Sequence, residues 1–166
     1  MPKWSDLPKH YRQWRELRAW ERRVLVLCGL ALPPIWLAVR LLPFNRVQHY
    51  FAHAAAPSPA AALPEGFTAV EYAQHCADLT GIAARHGMYS ANCLHQSLAL
   101  CWILRRDRLP ARLKIGVHDK LADFRAHAWV ELDGIALGQV LPGYVPFPDR
   151  DPARKGPMPN FDKPPH

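Results

Sequence analysis

The residues best suited to covalent chemistry are Cys93 and His127. Cys93 opens the run Cys93-Leu94-His95-Gln96-Ser97-Leu98-Ala99-Leu100-Cys101-Trp102-Ile103-Leu104, apolar on nearly every side from Leu94 onward. That is the pattern of a helix through the middle of a domain. Ser90 and Asn92 are both good N-caps, which predicts a helix beginning within a residue or two of Cys93. A thiol there faces unpaired N–H groups and the positive end of the helix dipole, and both favour the thiolate. Most cysteines are small core residues, so a nucleophile also needs a base supplied from elsewhere in the chain.

Ala126-His127-Ala128-Trp129-Val130-Glu131 offers that base. Strand alternation puts His127, Trp129 and Glu131 on one face, and Ala126, Ala128, Val130 and Leu132 on the other. The second face is small and apolar and suits the core, which leaves His127 turned toward a site. A thiol needs a base to take its proton, and the base needs a third polar group to fix its tautomer. Leu132-Asp133-Gly134 suits a three-residue hairpin loop, with Gly134 in the left-handed position of a bulge. In that register Glu131 faces Ile135, Trp129 faces Leu137 and His127 faces Gln139. A two-residue Asp133-Gly134 turn is also allowed and sets Gln139 opposite Ala128, on the other face. The logic of a triad favours the first register, with Cys93, His127 and Gln139 as catalytic residues and Asp123 as a loop alternative to Gln139. Glu131 lies four residues along the strand, about 13 Å away and out of hydrogen-bond reach. Trp129 and Asn92 adjoin the site, and the backbone N–H of Cys93 is the natural oxyanion donor.

Other chemistries find less support. His75, Cys76, His86, Cys93, His95 and His118 are candidate ligands, but no pair has zinc-ligand spacing, so neither metal nor cofactor is expected. The 166 residues carry 21 Lys+Arg against 14 Asp+Glu, a formal charge of +7, which favours an acidic peptide, a membrane surface or nucleic acid as partner. No helix-turn-helix or RNP-like pattern accompanies that charge, which argues against nucleic acid. Cys28, Cys76, Cys93 and Cys101 form no disulfide framework and read as reduced cytosolic thiols.

These residues must be positioned by the rest of the chain. Residues 1–53 form a basic amphipathic and then apolar helical region, with Leu7, Tyr11, Trp14 and Leu17 at helical spacing among the cations. Val24 to Val39 is uncharged and mostly apolar, and Pro33-Pro34 predicts two short helices there, a buried or interfacial hairpin. A membrane anchor ranks second, since a span wants about 20 residues. A signal peptide ending at Ala52-His53-Ala54 ranks third, because Arg40 and Arg46 intervene. Residues 54–66 are an Ala/Pro-rich linker. Residues 67–141 hold the core: a helix from Thr68 to Arg85 with Val70, Ala73, Cys76 or Ala77, and Ile82 on one face and Gly87 as its C-cap, then the Cys93 helix. Strands follow at Leu113–Val117, Arg125–Leu132 and Ile135–Val140. Residues 142–166 are too rich in proline for a regular element and read as an irregular tail.

Several blocks together carry a resemblance. Cys93-Leu94-x-x-Ser97-Leu98-Ala99-Leu100, Leu104-Arg105-Arg106, Leu109 to Val117, and Phe124-x-Ala126-His127-Ala128-Trp129-Val130-Glu131 resemble the lasso-peptide leader peptidases, which are transglutaminase-like cysteine proteases. Glu21-Arg22-Arg23 and Leu41-Leu42-Pro43-Phe44 resemble that family's amino-terminal region, so the likeness spans most of residues 15 to 141. It implies an α+β fold with a papain/transglutaminase-like core and an N-terminal helical extension. Cys93 is then the nucleophile and His127 the base, and the third residue, usually Asp, falls on Gln139. A glutamine carbonyl can accept the imidazole N–H bond, but it is uncharged and stabilises imidazolium less, so activity is expected to be reduced and not abolished.

The implied reaction is hydrolysis of the peptide bond joining leader to core in a ribosomally made lasso precursor. A macrolactam cyclase would act afterwards. Residues 1–60 lack the character of a winged-helix module, so a separate leader-recognition protein is the expected partner. The rival readings are another acyl transfer on the same core and a non-catalytic precursor-binding scaffold. The expected location is cytoplasmic, with membrane association through residues 1–43.

Overall fold

The computed structural model describes residues 16–53, 63–86, 91–118, 126–138 and 143–147. The expectations for the first helix up to residue 15, for the linker within 54–62, for Gly87, and for the tail from 148 lie outside them, as do Asp123 and Gln139.

Helix α1 runs unbroken from Ala19–Leu41, through Pro33 and Pro34. This corrects the expected break. An internal proline costs about 3 kcal/mol, by removing an N–H and crowding the carbonyl four residues back. Here those carbonyls belong to Gly29 and Leu30, both on the exposed side, where water can bond them. On the opposite side Val24, Cys28, Ala31, Leu32 and Ile35 are buried. At about 1.5–3 kcal/mol for each large apolar side chain buried, that stripe offsets the two prolines. Packing overrides propensity. The start is set by Glu21, whose Oε2 accepts the Arg18 N–H at 2.6 Å. A short helix α2, Phe44–Gln48, and a π-helical turn, His49–His53, follow.

Helix α3, Ala69–His86, begins with a reciprocal cap. The Thr68 N–H donates to Glu71 Oε2 at 2.8 Å, and the Glu71 N–H donates to Thr68 Oγ1 at 3.3 Å. Its buried side holds Tyr72, Ala73, Cys76, Leu79, Thr80 and Ala84. Ile82, expected in the core, is exposed. Helix α4, Cys93–Arg106, is the central one, burying Leu98, Ala99, Cys101, Ile103 and Leu104 between α1, α3 and the sheet.

Four antiparallel strands form that sheet in the order β3-β2-β1-β4. They are β1 (Arg112–His118), β2 (Ala126–Leu132), β3 (Ile135–Leu137) and β4 (Tyr144–Pro146). As alternation required, Ala128, Val130 and Leu132 of β2 are buried in the core. β4 corrects the expectation of no regular element beyond Pro142. It survives as a three-residue edge strand, where a terminal proline costs no central ladder bond, and the Phe147 N–H extends it by donating to Ile115 O at 2.8 Å.

The β2–β3 hairpin corrects a second expectation. Leu132 pairs with Ile135, Glu131 with Ala136 and Val130 with Leu137. The turn therefore has two residues, Asp133 at φ 51 and Gly134 at φ 80. Positive φ at both positions matches the right-handed strand twist, and Asp-Gly is a preferred pair for it. The three-residue register, which set His127 opposite Gln139, does not form. β3 ends at Leu137 instead of Val140, and Gly138 departs from the ladder at φ 78.

One charged cluster ties the helices together. Arg23 of α1 grips Asp107, the residue after α4, through Nη2 at 2.6 Å and Nη1 at 3.3 Å. Tyr72 of α3 donates its hydroxyl to Asp107 Oδ2 at 2.7 Å. The Asp107 side chain is 1% exposed and that of Arg23 36%. Burial, first of all, pushes the Tyr72 phenol well above its ordinary range.

Candidate active site

Cys93 is the first residue of α4. Asn92, extended at φ −77 and ψ 179, is its N-cap, and Asn92 Oδ1 accepts the N–H groups of Leu94 at 3.1 Å and His95 at 3.2 Å. The same oxygen lies 2.6 Å from His95 Nδ1, so that nitrogen carries the proton. Asn92 is thus occupied in building the helix start. Asn92 O accepts the Gln96 N–H at 3.1 Å. Among the described residues, Cys93 then keeps the one N–H of this first turn with no partner, beside its own sulfur.

The four thiols are not equivalent. Cys28, Cys76 and Cys101 are buried, and burial pushes their thiols up, to about 12 for Cys76 and about 11 for Cys101. A thiol held protonated in the core is a poor nucleophile. Cys93 is half-buried and opens on a cleft of about 460 Å³. Its lining brings Gln96 and Ser97 from α4 together with Asp78, Gly81 and Arg85 from α3, and His127 and Trp129 from β2. Cys93 and His127 are therefore walls of one cleft. No hydrogen bond joins them, and such bonds in resting active sites often tighten only when substrate binds.

Aromatic rings hold His127. Trp129, two residues on and on the same face, stacks with it at 6.2 Å between centroids and 16° between planes. The Tyr144 ring of β4 lies 5.2 Å away on a 51° tilt. Trp129 is itself anchored, its Nε1–H donating to Glu131 Oε1 at 3.0 Å. Glu131 thus supports the tryptophan instead of the base. Partial burial holds the His127 imidazole below its usual range, so the ring is neutral at pH 7 and ready to accept a proton. Gly116 makes this packing fit. It pairs with His127 across β1–β2, and a Cβ there would clash with Val145 O and come within 2.9 Å of the Trp129 ring.

The cleft places four of the five expected site residues as follows: Cys93, His127 and Trp129 meet at it, and Asn92 caps the helix behind it. The fifth, Gln139, lies outside the described residues. Sequence reasoning missed Tyr144 and Gly116, because both depend on β4. The glycine's one trace in the sequence is its place in the Arg112–Val117 alternation, which does not show what packs against it. Among the described residues no three metal-binding side chains converge.

A helix that starts on a cysteine, backed by an antiparallel sheet carrying a histidine, is the α+β arrangement of the papain and transglutaminase folds. The family model for the transglutaminase-like superfamily matches residues 38–146, well over half of the chain, and the chain belongs to that superfamily. The superfamily includes cysteine proteases and acyltransferases. No curated protein and no solved structure matches the chain significantly.

Proposed function

We propose that this protein is a cysteine endopeptidase that removes the leader from a lasso-peptide precursor. The observation that supports it is the shared cleft, where the one open thiol of the described chain, at a helix N-terminus, meets a neutral imidazole. The choice of substrate rests on the resemblance of the Cys93 and His127 blocks to the leader peptidases.

In this reading His127 takes the Cys93 proton as Sγ attacks the scissile carbonyl carbon. The oxyanion that forms accepts a hydrogen bond from the Cys93 N–H. His127 returns the proton to the leaving amine of the core peptide, and the leader remains as a thioester on Cys93. Water, deprotonated by His127, attacks that thioester, releases the leader carboxylate and restores the thiol. Gln139 is the proposed orienting residue, with Asp123 the alternative. A separate leader-recognition protein and a macrolactam cyclase complete the proposed set of partners.

The test mixes the protein with a leader–core peptide and the recognition protein and reads product masses. The free leader and core are expected from wild type and neither from Cys93→Ala. Identical spectra from the two would refute the peptidase. An isopeptide or acetylated product would assign the site to acyl transfer instead.

A further inference from the structure

We infer that the outer face of α1 seats the domain on an anionic membrane surface, lying along it instead of crossing it. Val26, Leu30, Pro34, Leu37 and Leu41 recur at helical spacing along one stripe of α1, turned away from the buried stripe of Val24, Cys28, Ala31 and Ile35. These side chains are open to solvent, Leu30 at 68% and Leu41 at 70%. Leu42, Phe44 and Tyr50, just past the end of the helix, are exposed as well. A patch of this continuity on a soluble domain marks an interaction surface.

Charge selects the occupant. No aspartate or glutamate occurs between Glu21 and Glu65. Exposed Arg40 and Arg46 sit at the Leu41–Phe44 end of the stripe, and Arg40 lies over the Trp36 ring at 4.6 Å. Apolar side chains rimmed by arginines and amphipathic aromatics suit the boundary between anionic headgroups and acyl chains. A second copy of the chain suits this surface poorly, because residues 22–64 carry cations and no carboxylate to pair them.

The core stripe decides between lying on the bilayer and spanning it. Five buried side chains and the Arg23–Asp107 pair hold α1 in the domain, and insertion across a bilayer would strip all of them out.

The experiment is co-sedimentation of the full chain with vesicles, comparing phosphatidylcholine alone with phosphatidylcholine–phosphatidylglycerol mixtures. Binding is expected to the mixed vesicles, weaker binding to the neutral ones, and release at high salt. Leu30→Asn/Leu37→Asn, at positions that already face solvent, is expected to weaken partition at least about tenfold with an unchanged melting temperature. Carbonate is expected to extract the protein. Equal binding by wild type and the double variant overturns the inference, and so does failure to bind mixed vesicles. Resistance to carbonate overturns it in favour of a span. A light-scattering dimer that the double variant dissociates, with no vesicle binding, overturns it in favour of a second copy.

Discussion

Gly116→Ala tests how the sheet holds the base. The added Cβ meets the backbone oxygen of Val145, which is no flexible side-chain end, and the edge of the Trp129 ring at 2.9 Å. Either β4 lifts from β1 or the tryptophan tilts, and both neighbours of the His127 ring are then disturbed. Overpacking of this kind costs about 1–3 kcal/mol. Lifting β4 also weakens edge bonds such as Phe147 N–H to Ile115 O at 2.8 Å, at about 0.5–1.5 kcal/mol per bond. A loss of about 2–3 kcal/mol lowers Tm by about 4–12 °C in a chain of this size. Calorimetry gives the Tm, and peptide turnover at permissive temperature gives the activity, which is expected to fall by about tenfold or more because small misplacements of a base are costly. Gly29→Ala is the control. Its Cβ meets nothing within 4 Å on the exposed side of α1, so it is expected to stabilise the helix by about 0.5–1 kcal/mol. If Gly116→Ala melts and turns over like wild type, Gly116 is not what lets Trp129 and Tyr144 grip His127.

Four further outcomes are expected. The His127 imidazole titrates below its ordinary value of 6.5 because of burial, so the acid limb of kcat/KM lies below that pH, and Trp129→Ala moves the limb upward by admitting water. His95 is depressed for the same reason. Both rings take up protons in the unfolded chain before they do so in the folded one, and stability measured by urea unfolding falls as pH drops from 6.5 through the folded values. Arg23→Met leaves the Asp107 carboxylate buried with Tyr72 as its one remaining partner of the cluster. The cost is about 3 kcal/mol, the low end for a broken buried pair, because Arg23 is partly solvated. Asp107→Asn keeps an acceptor for Tyr72 and is expected to cost less; a reversed order in urea midpoints would refute this account of the cluster. Gln139→Asp is expected to hold or raise turnover, and a large loss would remove Gln139 from the site.

Legibility followed the range of the interactions. α3 and α4 were visible because each carries its own period and its own cap, Thr68 with Glu71 and Asn92 ahead of Cys93, and β1 and β2 because their side chains alternate. The single helix through Pro33-Pro34 was not, since local propensity argues for a break and the contrary force is the packing of Val24 and Ile35 on distant helices. β4 was hidden for a similar reason. Three residues ending in Pro146 carry no signal until β1 pairs with them. Arg23 and Asp107 show the limit most clearly, because a pair between α1 and the end of α4 leaves no periodic trace in either segment.

The β2–β3 hairpin overturns the register by which a third site residue was chosen. The expectation used the triad to choose a three-residue loop, whereas strand twist favours positive φ at both Asp133 and Gly134, and the twist prevails. Continued strictly, the register that forms would carry position 139 to the Ala128 face, away from His127. β3 does not continue strictly. Gly138 leaves the ladder at φ 78, its N–H donating to Gln74 Oε1 of α3 at 3.2 Å. The regular register therefore stops at Leu137 and assigns no face to the position after Gly138. The Asp133-Gly134 turn thus lends no support to Gln139 as the third member, and that proposal stands on the Gln139→Asp measurement alone.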